Sequence, residues 1–185
     1  IDHRGELVER YLAAIEREFE LVSKLLPAQR EVVQVHLGGG TPTHLTPAQL
    51  ERLIGSLRER FPWASDIEAS IEVHPPVTSL AHLETLASLG FNRLSMGVQD
   101  FDEQVQERVN RPQPFEQTRQ LVAFARALGF ESVNMDLMYG LPLQTVERFA
   151  TTLELVKRID PDRLALFGYA HMPSLKKHQR LIDAN

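Results

Sequence analysis

Val32-Val33-Gln34-Val35-His36-Leu37-Gly38-Gly39-Gly40-Thr41-Pro42-Thr43 is the stretch on which the fold turns: an apolar run that feeds straight into three glycines. A strand ending in glycines brings bare backbone to the mouth of a site, because residues without Cβ let N–H and C=O groups approach a ligand and allow positive φ. A loop without a ligand would use the same residues, so the neighbouring sequence has to decide. Downstream, Thr46 is a good N-cap with Pro47 at N1 and Gln49 at N3, which opens a helix reaching about Arg60. The glycines therefore sit between a strand and a helix.

Working outward, the strand–helix unit recurs. Strands are expected over 67–73, 93–97, 133–138 and 163–169, and helices over 78–89, 115–128 and 145–159, with Gly90 and Gly129 closing two of the helices. Upstream, apolar residues at helical spacing from Leu7 to Leu25 predict an amphipathic helix over about 6–24, ended by Pro27. A polar segment carries Asn110-Arg111-Pro112, and an amphipathic tail is expected over 174–182. Strands alternating with helices of this length imply βαβ units, right-handed crossovers and a parallel sheet of five strands. Periodicity does not separate an open doubly wound sheet from part of a barrel. One detail favours the barrel: every strand ends in a polar or glycine-rich cluster, whereas an open sheet gathers its ligand at one switch point.

Composition bounds the function. The 185 residues, 43% of them hydrophobic, are enough for one domain with a sizeable core. A net charge of −5 and a pI near 5.8, with scattered Lys and Arg, argue against nucleic acid or an anionic membrane surface as partner. No apolar run of spanning length and no leader pattern occurs, so a cytoplasmic location and a small-molecule ligand are expected. With no cysteine, the chain by itself offers no disulfide, thiolate nucleophile or iron–sulfur ligand. It starts at Ile1 in helix-like sequence, which is read as a fragment.

Residues at the strand ends converge on one face of a parallel α/β fold. Here they are Gly38-Gly39-Gly40-Thr41, Glu72 with His74, Gln99-Asp100, Asp136 with Tyr139-Gly140, and Tyr169-Ala170-His171. Glu72 is expected to face inward to a ligand, and Asp136, in the apolar strand 133–138, to have a functional partner because an unpaired buried charge is costly. His36 and His171 read as structural. Lysines stand only at 24, 157, 176 and 177, none at a strand end, which disfavours Schiff-base chemistry. Gly-x-Gly-x-x-Gly after a strand and Gly-Lys-Ser/Thr after the glycines are both lacking, so the dinucleotide and phosphate-loop readings fail, and no metal-ligand spacing stands out. The residues alone define a site that binds something polar through backbone, carboxylate and amide groups.

Taken together in this order, Val35–Thr43, Ile71-Glu72-Val73, Gly90–Phe101, Asn110-Arg111, Met135–Pro142 and Tyr169–Pro173 resemble the oxygen-independent coproporphyrinogen III oxidase (dehydrogenase) family of radical S-adenosylmethionine enzymes, over nearly the whole chain. The resemblance implies an α/β fold, a partial (β/α)6 barrel of which this chain supplies strands two to six. The first strand, with its Cys-x-x-x-Cys-x-x-Cys loop for a [4Fe–4S] cluster, would lie upstream, and a C-terminal domain downstream. The implied activity of the intact protein is oxidative decarboxylation of coproporphyrinogen III to protoporphyrinogen IX in haem biosynthesis, with an electron donor to the cluster and a monomeric state; the fragment alone is expected to be inactive. By motif, Gly39, Gly40, Thr41, Glu72, Gln99, Arg111, Asp136 and Ala170 take the S-adenosylmethionine-contacting positions, which in this family serve two cofactor molecules. His74 departs from the pattern, where aspartate is usual. A related haem-binding chaperone is the alternative; Asp100 after Gln99 and the Tyr169–Pro173 run favour the oxidase.

Overall fold

The structure, a computed structural model, describes residues 5–27, 30–175 and 179. Helix α1 (Gly5–Ser23) leads into strand β1 (Val32–Leu37). Then follow α2 (Pro47–Arg60), β2 (Trp63–Val73), α3 (Leu80–Ser88), β3 (Arg93–Gln99), α4 (Glu103–Arg108), α5 (Phe115–Ala127), β4 (Ser132–Tyr139), α6 (Val146–Ile159) and β5 (Arg163–Gly168). Single 3-10 turns at Pro42–His44 and Pro75–Val77 follow β1 and β2.

All five strands are parallel and lie in the sheet in chain order, β1-β2-β3-β4-β5. A doubly wound sheet reverses strand order at its switch point; this one never reverses, so it is a curled half-barrel with strands added at one edge only. The open question left by periodicity is thereby resolved in favour of the partial barrel. Among the described residues, no helix is long and apolar enough to cross a membrane.

Period-two alternation sorts the strand residues. Ile67, Ala69, Ile71 and Val73 of β2, Leu94, Met96 and Val98 of β3, and Val133, Met135 and Leu137 of β4 form the buried face. Leu50, Ile54, Leu83, Leu86, Leu121, Val122, Ala125, Val156 and Ile159 cover that face from α2, α3, α5 and α6. Packing rather than intrinsic propensity holds these helices. α3 has only nine residues, too few to persist alone, yet Leu83 and Leu86 are fully buried. Each such burial stabilises by about 1.5–3 kcal/mol, against about 1 kcal/mol for the Ser79 capping box. Beyond β4 the cover stops: Leu164 and Leu166 pair in register with buried Met135 and Leu137 but are more than half exposed.

The opposite, concave face carries the polar alternates. In register across the sheet run His36, Ser70 and Arg93; then Glu72, Ser95, Asn134 and Arg163; then Gly97, Asp136 and Ala165. Glu68 on this face is held below the usual carboxylate range by the Gln34 amide and then by the Arg93 guanidinium, which pairs with it.

Several element bounds differ from the sequence expectations. β2 begins at Trp63 rather than at 67, and β3 runs to Gln99 rather than 97. The polar segment before Asn110 contains α4, whose N-cap Asp102 accepts from the Gln104 and Val105 amides. Of the tail expected over 174–182, only 174, 175 and 179 lie within the described residues.

Candidate functional site

Two polar clusters form where the strands end on the concave side. In the first, the Ser70 hydroxyl donates to the Val35 carbonyl at 3.3 Å, so its oxygen is left to accept from His36 Nδ1 at 2.7 Å. With the Ser70 hydroxyl proton on the Val35 carbonyl, the tautomer that completes the contact carries its proton on Nδ1 and its lone pair on Nε2. His36 Nε2 stands 3.7 Å from Glu72 Oε1, so two acceptors face one gap. A ligand bearing an ammonium or hydroxyl donor fits there. Glu72, expected to face inward, lies on the concave face, and His36, read as structural, lies beside it. Gly38 makes this possible, since a Cβ there would lie 2.6 Å from His36 Nε2 and 3.2 Å from Glu72 Oε1.

In the second cluster, Arg111 Nη2 donates to the Gly97 carbonyl at 3.0 Å, and a Cβ on Gly97 would lie 2.7 Å from Gln99 Nε2 and 2.9 Å from Arg111 Nη2. Gln99 and Arg111 thus meet above a strand residue that has to lack a side chain. Gln99 is non-glycine at φ 67°, where the β3–β4 register shifts, a conformation that costs about 1–3 kcal/mol and recurs at functional sites. Asp136, opposite Gly97 in register, accepts from Asn134 Nδ2 at 2.8 Å; the same amide donates to Ser95 Oγ at 2.9 Å. Ser95 is the register neighbour of Glu72, so one row of polar side chains joins the two clusters.

Three buried polar atoms here have no partner in the protein: Gln99 Oε1, Arg111 Nε and His74 Nδ1. Such atoms are costly to bury unless something satisfies them, and these three make the ends of β2 and β3 with the Arg111 loop the candidate ligand position. Burial weakens the hold of the Arg111 guanidinium on its proton, an effect that the Asp136 charge opposes.

Burial and then the nearby Arg111 charge lower the pKa of His74 below the ordinary imidazole value. An unfolded chain therefore takes up a proton near pH 6.5 that the folded chain refuses. Stability is full above that pH and falls as pH drops through it. We expect the midpoint of urea unfolding to fall between pH 7.5 and 5.5 by less in His74→Gln than in the wild-type chain; equal falls would count against this assignment.

The remaining expected positions lie apart. Gly39, at φ +89°, and Gly40 have open space where a Cβ would stand, which suits backbone approach to a ligand. Thr41 starts the 3-10 turn after β1, its carbonyl accepting from the His44 amide at 2.9 Å. The loops after β1 and β2 are tied together by Thr43 and Thr78, whose hydroxyls lie 2.8 Å apart. Ala170 follows β5 at the far edge of the sheet, its carbonyl accepting from Gln179 Nε2 at 3.1 Å. Glu72 lies in the row of Ser95 and Asn134, Asp136 in the next row opposite Gly97, and Gln99 and Arg111 meet over Gly97, with the glycines at one end of the sheet and Ala170 at the other. A groove of about 1070 Å³ beside Gly38, Gly40 and Thr41 is lined mainly by apolar residues of α1 and α2 and excludes the Gln99–Arg111 cluster. Ser95 and Asn134 were not singled out from the sequence and His36 was read as structural; strand alternation puts all three on the face of Glu72 and Asp136.

A half-barrel with backbone, carboxylate and amide groups at its strand ends is the architecture of cofactor-binding parallel barrels, and comparison with known proteins specifies which. The Radical SAM superfamily profile matches residues 3–156, and the chain belongs to that superfamily. Within it, the chain is 49% identical over 175 residues to an oxygen-independent coproporphyrinogen III oxidase of Helicobacter pylori, and 51% identical over 174 residues to that of Escherichia coli K12. Each alignment covers 94% of this chain and 38% of the relative, so the chain spans well under half the length of these proteins. The solved structure of coproporphyrinogen III oxidase (HemN) from Escherichia coli superposes with a TM-score of 0.94 at 48% identity, covering 99% of this chain and 42% of that one. An archaeal Elp3, at 17% identity and a TM-score of 0.65, shares the fold.

The superfamily implies S-adenosylmethionine and a [4Fe–4S] cluster. The residues fit the first: unpartnered Gln99 Oε1 and Arg111 Nε, the Glu72–His36 acceptor pair and open glycine backbone match a ligand with carboxylate, ammonium and hydroxyl groups. They do not fit the second. No cysteine occurs in the 185 residues, and the described residues contain no group of three metal-ligating side chains.

Proposed function

We propose that this chain is the S-adenosylmethionine-binding part of an oxygen-independent coproporphyrinogen III oxidase, acting in haem biosynthesis. The observation that carries the reading is the convergence of unpartnered Gln99 Oε1, Arg111 Nε and His74 Nδ1 beside Asp136, in a chain about half identical to enzymes of that name. When bound, and reductively cleaved by one electron from a cluster that this chain does not hold, S-adenosylmethionine would supply the radical that takes a hydrogen atom from a propionate side chain; loss of carbon dioxide to leave a vinyl group would then pass one electron to an acceptor outside this chain.

The residues of this chain bind and orient. Arg111 offers Nε and its free guanidinium hydrogens to the cofactor carboxylate, at a site where partial burial strengthens the attraction. Glu72 and His36 Nε2 accept from an ammonium or ribose hydroxyl, and the Gln99 carbonyl oxygen accepts a further donor. Gly39, Gly40 and Thr41 present backbone to the cofactor, while Asp136 balances the Arg111 charge; Ala170 closes the site from the β5 side. This reading includes a second cofactor molecule, a porphyrinogen substrate, an electron donor and a monomeric enzyme. Cofactor cleavage by the 185 residues alone is outside it, because they supply no cluster ligand.

Titration calorimetry of the full chain with S-adenosylmethionine tests the binding role. Micromolar to submillimolar affinity is expected, with Glu72→Ala about tenfold weaker through loss of one charged hydrogen bond. Absence of heat at millimolar cofactor, or an E72A affinity equal to wild type, would remove the assignment. Anaerobic iron–sulfur reconstitution of the same chain should give no cluster absorbance.

A further inference from the structure

Asp100 is 1% exposed and has no cation within reach among its hydrogen-bond partners. Its Oδ1 accepts from the Thr152 hydroxyl of α6 at 2.5 Å and from the Asp102 amide at 2.7 Å; its Oδ2 accepts from Gln144 Nε2 at 2.5 Å. Gln144 in turn accepts with Oε1 from the Gly140 and Leu141 amides at 2.6 and 3.3 Å, and donates to the Met138 carbonyl at 2.9 Å. The Asp100 carbonyl accepts from buried Gln106, whose own carbonyl accepts from the Arg111 amide at 2.8 Å. The carboxylate therefore ties the exit of β3 to the turn after β4 and to helix α6, while the backbone carbonyl of the same residue reaches, through Gln106, the segment that carries Arg111. Its neighbour in the chain is Gln99, at φ 67°.

A buried carboxylate is expensive to desolvate, and a left-handed glutamine is strained. Both persist only where the surroundings over-determine them. The Thr152 hydroxyl can turn to accept, but an amide in place of the carboxylate would set an NH2 group against either the Asp102 backbone N–H or the Gln144 amide, both donating toward it. Gln144 could then turn its own amide only by giving up the Gly140 turn.

We propose that Asp100, acting through Gln144, is a positioning residue. It holds Gln99 in the left-handed conformation that aims its side chain over Gly97, and it fixes the turn after β4 against the exit of β3 and helix α6. The proposal rests on the cofactor reading above insofar as Gln99 is taken to meet S-adenosylmethionine; the strut itself is independent of any ligand.

The test has two arms on the full chain. Without ligand, hydrogen exchange at the Gly140 and Leu141 amides is compared between wild type and Asp100→Asn; exchange at least about tenfold faster is expected where a buried hydrogen bond is lost. Unchanged exchange overturns the strut. With ligand, S-adenosylmethionine affinity is measured for wild type, D100N, Gln99→Ala and the double variant. D100N and Q99A should each lose about tenfold, and the double variant no more than either, since a positioning residue has nothing left to position once the side chain is gone. Additive losses, or D100N binding as wild type, overturn the positioning role. Should D100N fail to fold, half-buried Gln144→Ala takes its place in both arms. A wild-type chain that binds no cofactor refutes the cofactor reading and, with it, the role at Gln99, while the exchange arm still decides the strut.

Discussion

Gly97→Ala should abolish measurable S-adenosylmethionine binding while leaving the fold standing. The added Cβ would lie 2.7 Å from Gln99 Nε2 and 2.9 Å from Arg111 Nη2, both inside the closest approach of real Cβ contacts. Both atoms are the far ends of flexible side chains, so they can move and the strand need not. The backbone of Gly97 is in strand β3, a conformation that alanine adopts readily. What moves is the site: two groups swing away from the ligand position together, and two hydrogen bonds, one of them charge-assisted, go with them. At about 1 kcal/mol for the neutral bond and about 1.5–3 kcal/mol for the charged one, the loss is about a hundredfold or more in affinity. Calorimetry with the cofactor, alongside the urea midpoint, checks this. A G97A chain that binds within threefold of wild type would show that Gln99 and Arg111 do not face the ligand from above Gly97.

Arg111→Ala should weaken binding about tenfold to a hundredfold, the range of one hydrogen bond to a charged group. The guanidinium already uses Nη2 on the Gly97 carbonyl, and its Nε is buried without a partner. The part of the group left for a ligand is thus the part that nothing in the protein satisfies. Arg111→Lys keeps the charge and loses the planar fork, so affinity between wild type and R111A is expected. An R111A chain with wild-type affinity would assign the unpartnered Nε to bound water instead.

The two variants draw on different kinds of information. Arg111 was legible as a candidate only through its motif, because a loop arginine before a proline is ordinarily a surface residue. Gly97 carried no signal as a site residue: a glycine inside a strand reads as a bulge or a close approach, without saying to what. Asp136 and Glu72 were legible from their own strands, since a carboxylate between apolar neighbours in an alternating run has one face to occupy. His36 occupies the same face of β1 and could have been chosen by the same rule. Helix α4 and the left-handed Gln99 lay beyond such reasoning. Six residues are too few for a helical period to show, and no local preference puts glutamine at positive φ.

Local chemistry therefore determined most of the architecture by itself. Apolar runs bounded by turn residues marked five strands, and helical spacing, caps and prolines marked the connecting helices, all features of residues near in sequence. Tertiary structure alone decided which polar residues meet. Glu72 reaches Asp136 through Ser95 and Asn134, and Gly97 lies opposite Asp136, because of registers between strands tens of residues apart. A shift of one residue in any of those pairings would turn the polar row to the helix side, and the burial of Ile71, Leu94 and Met135 against the helices is what forbids it.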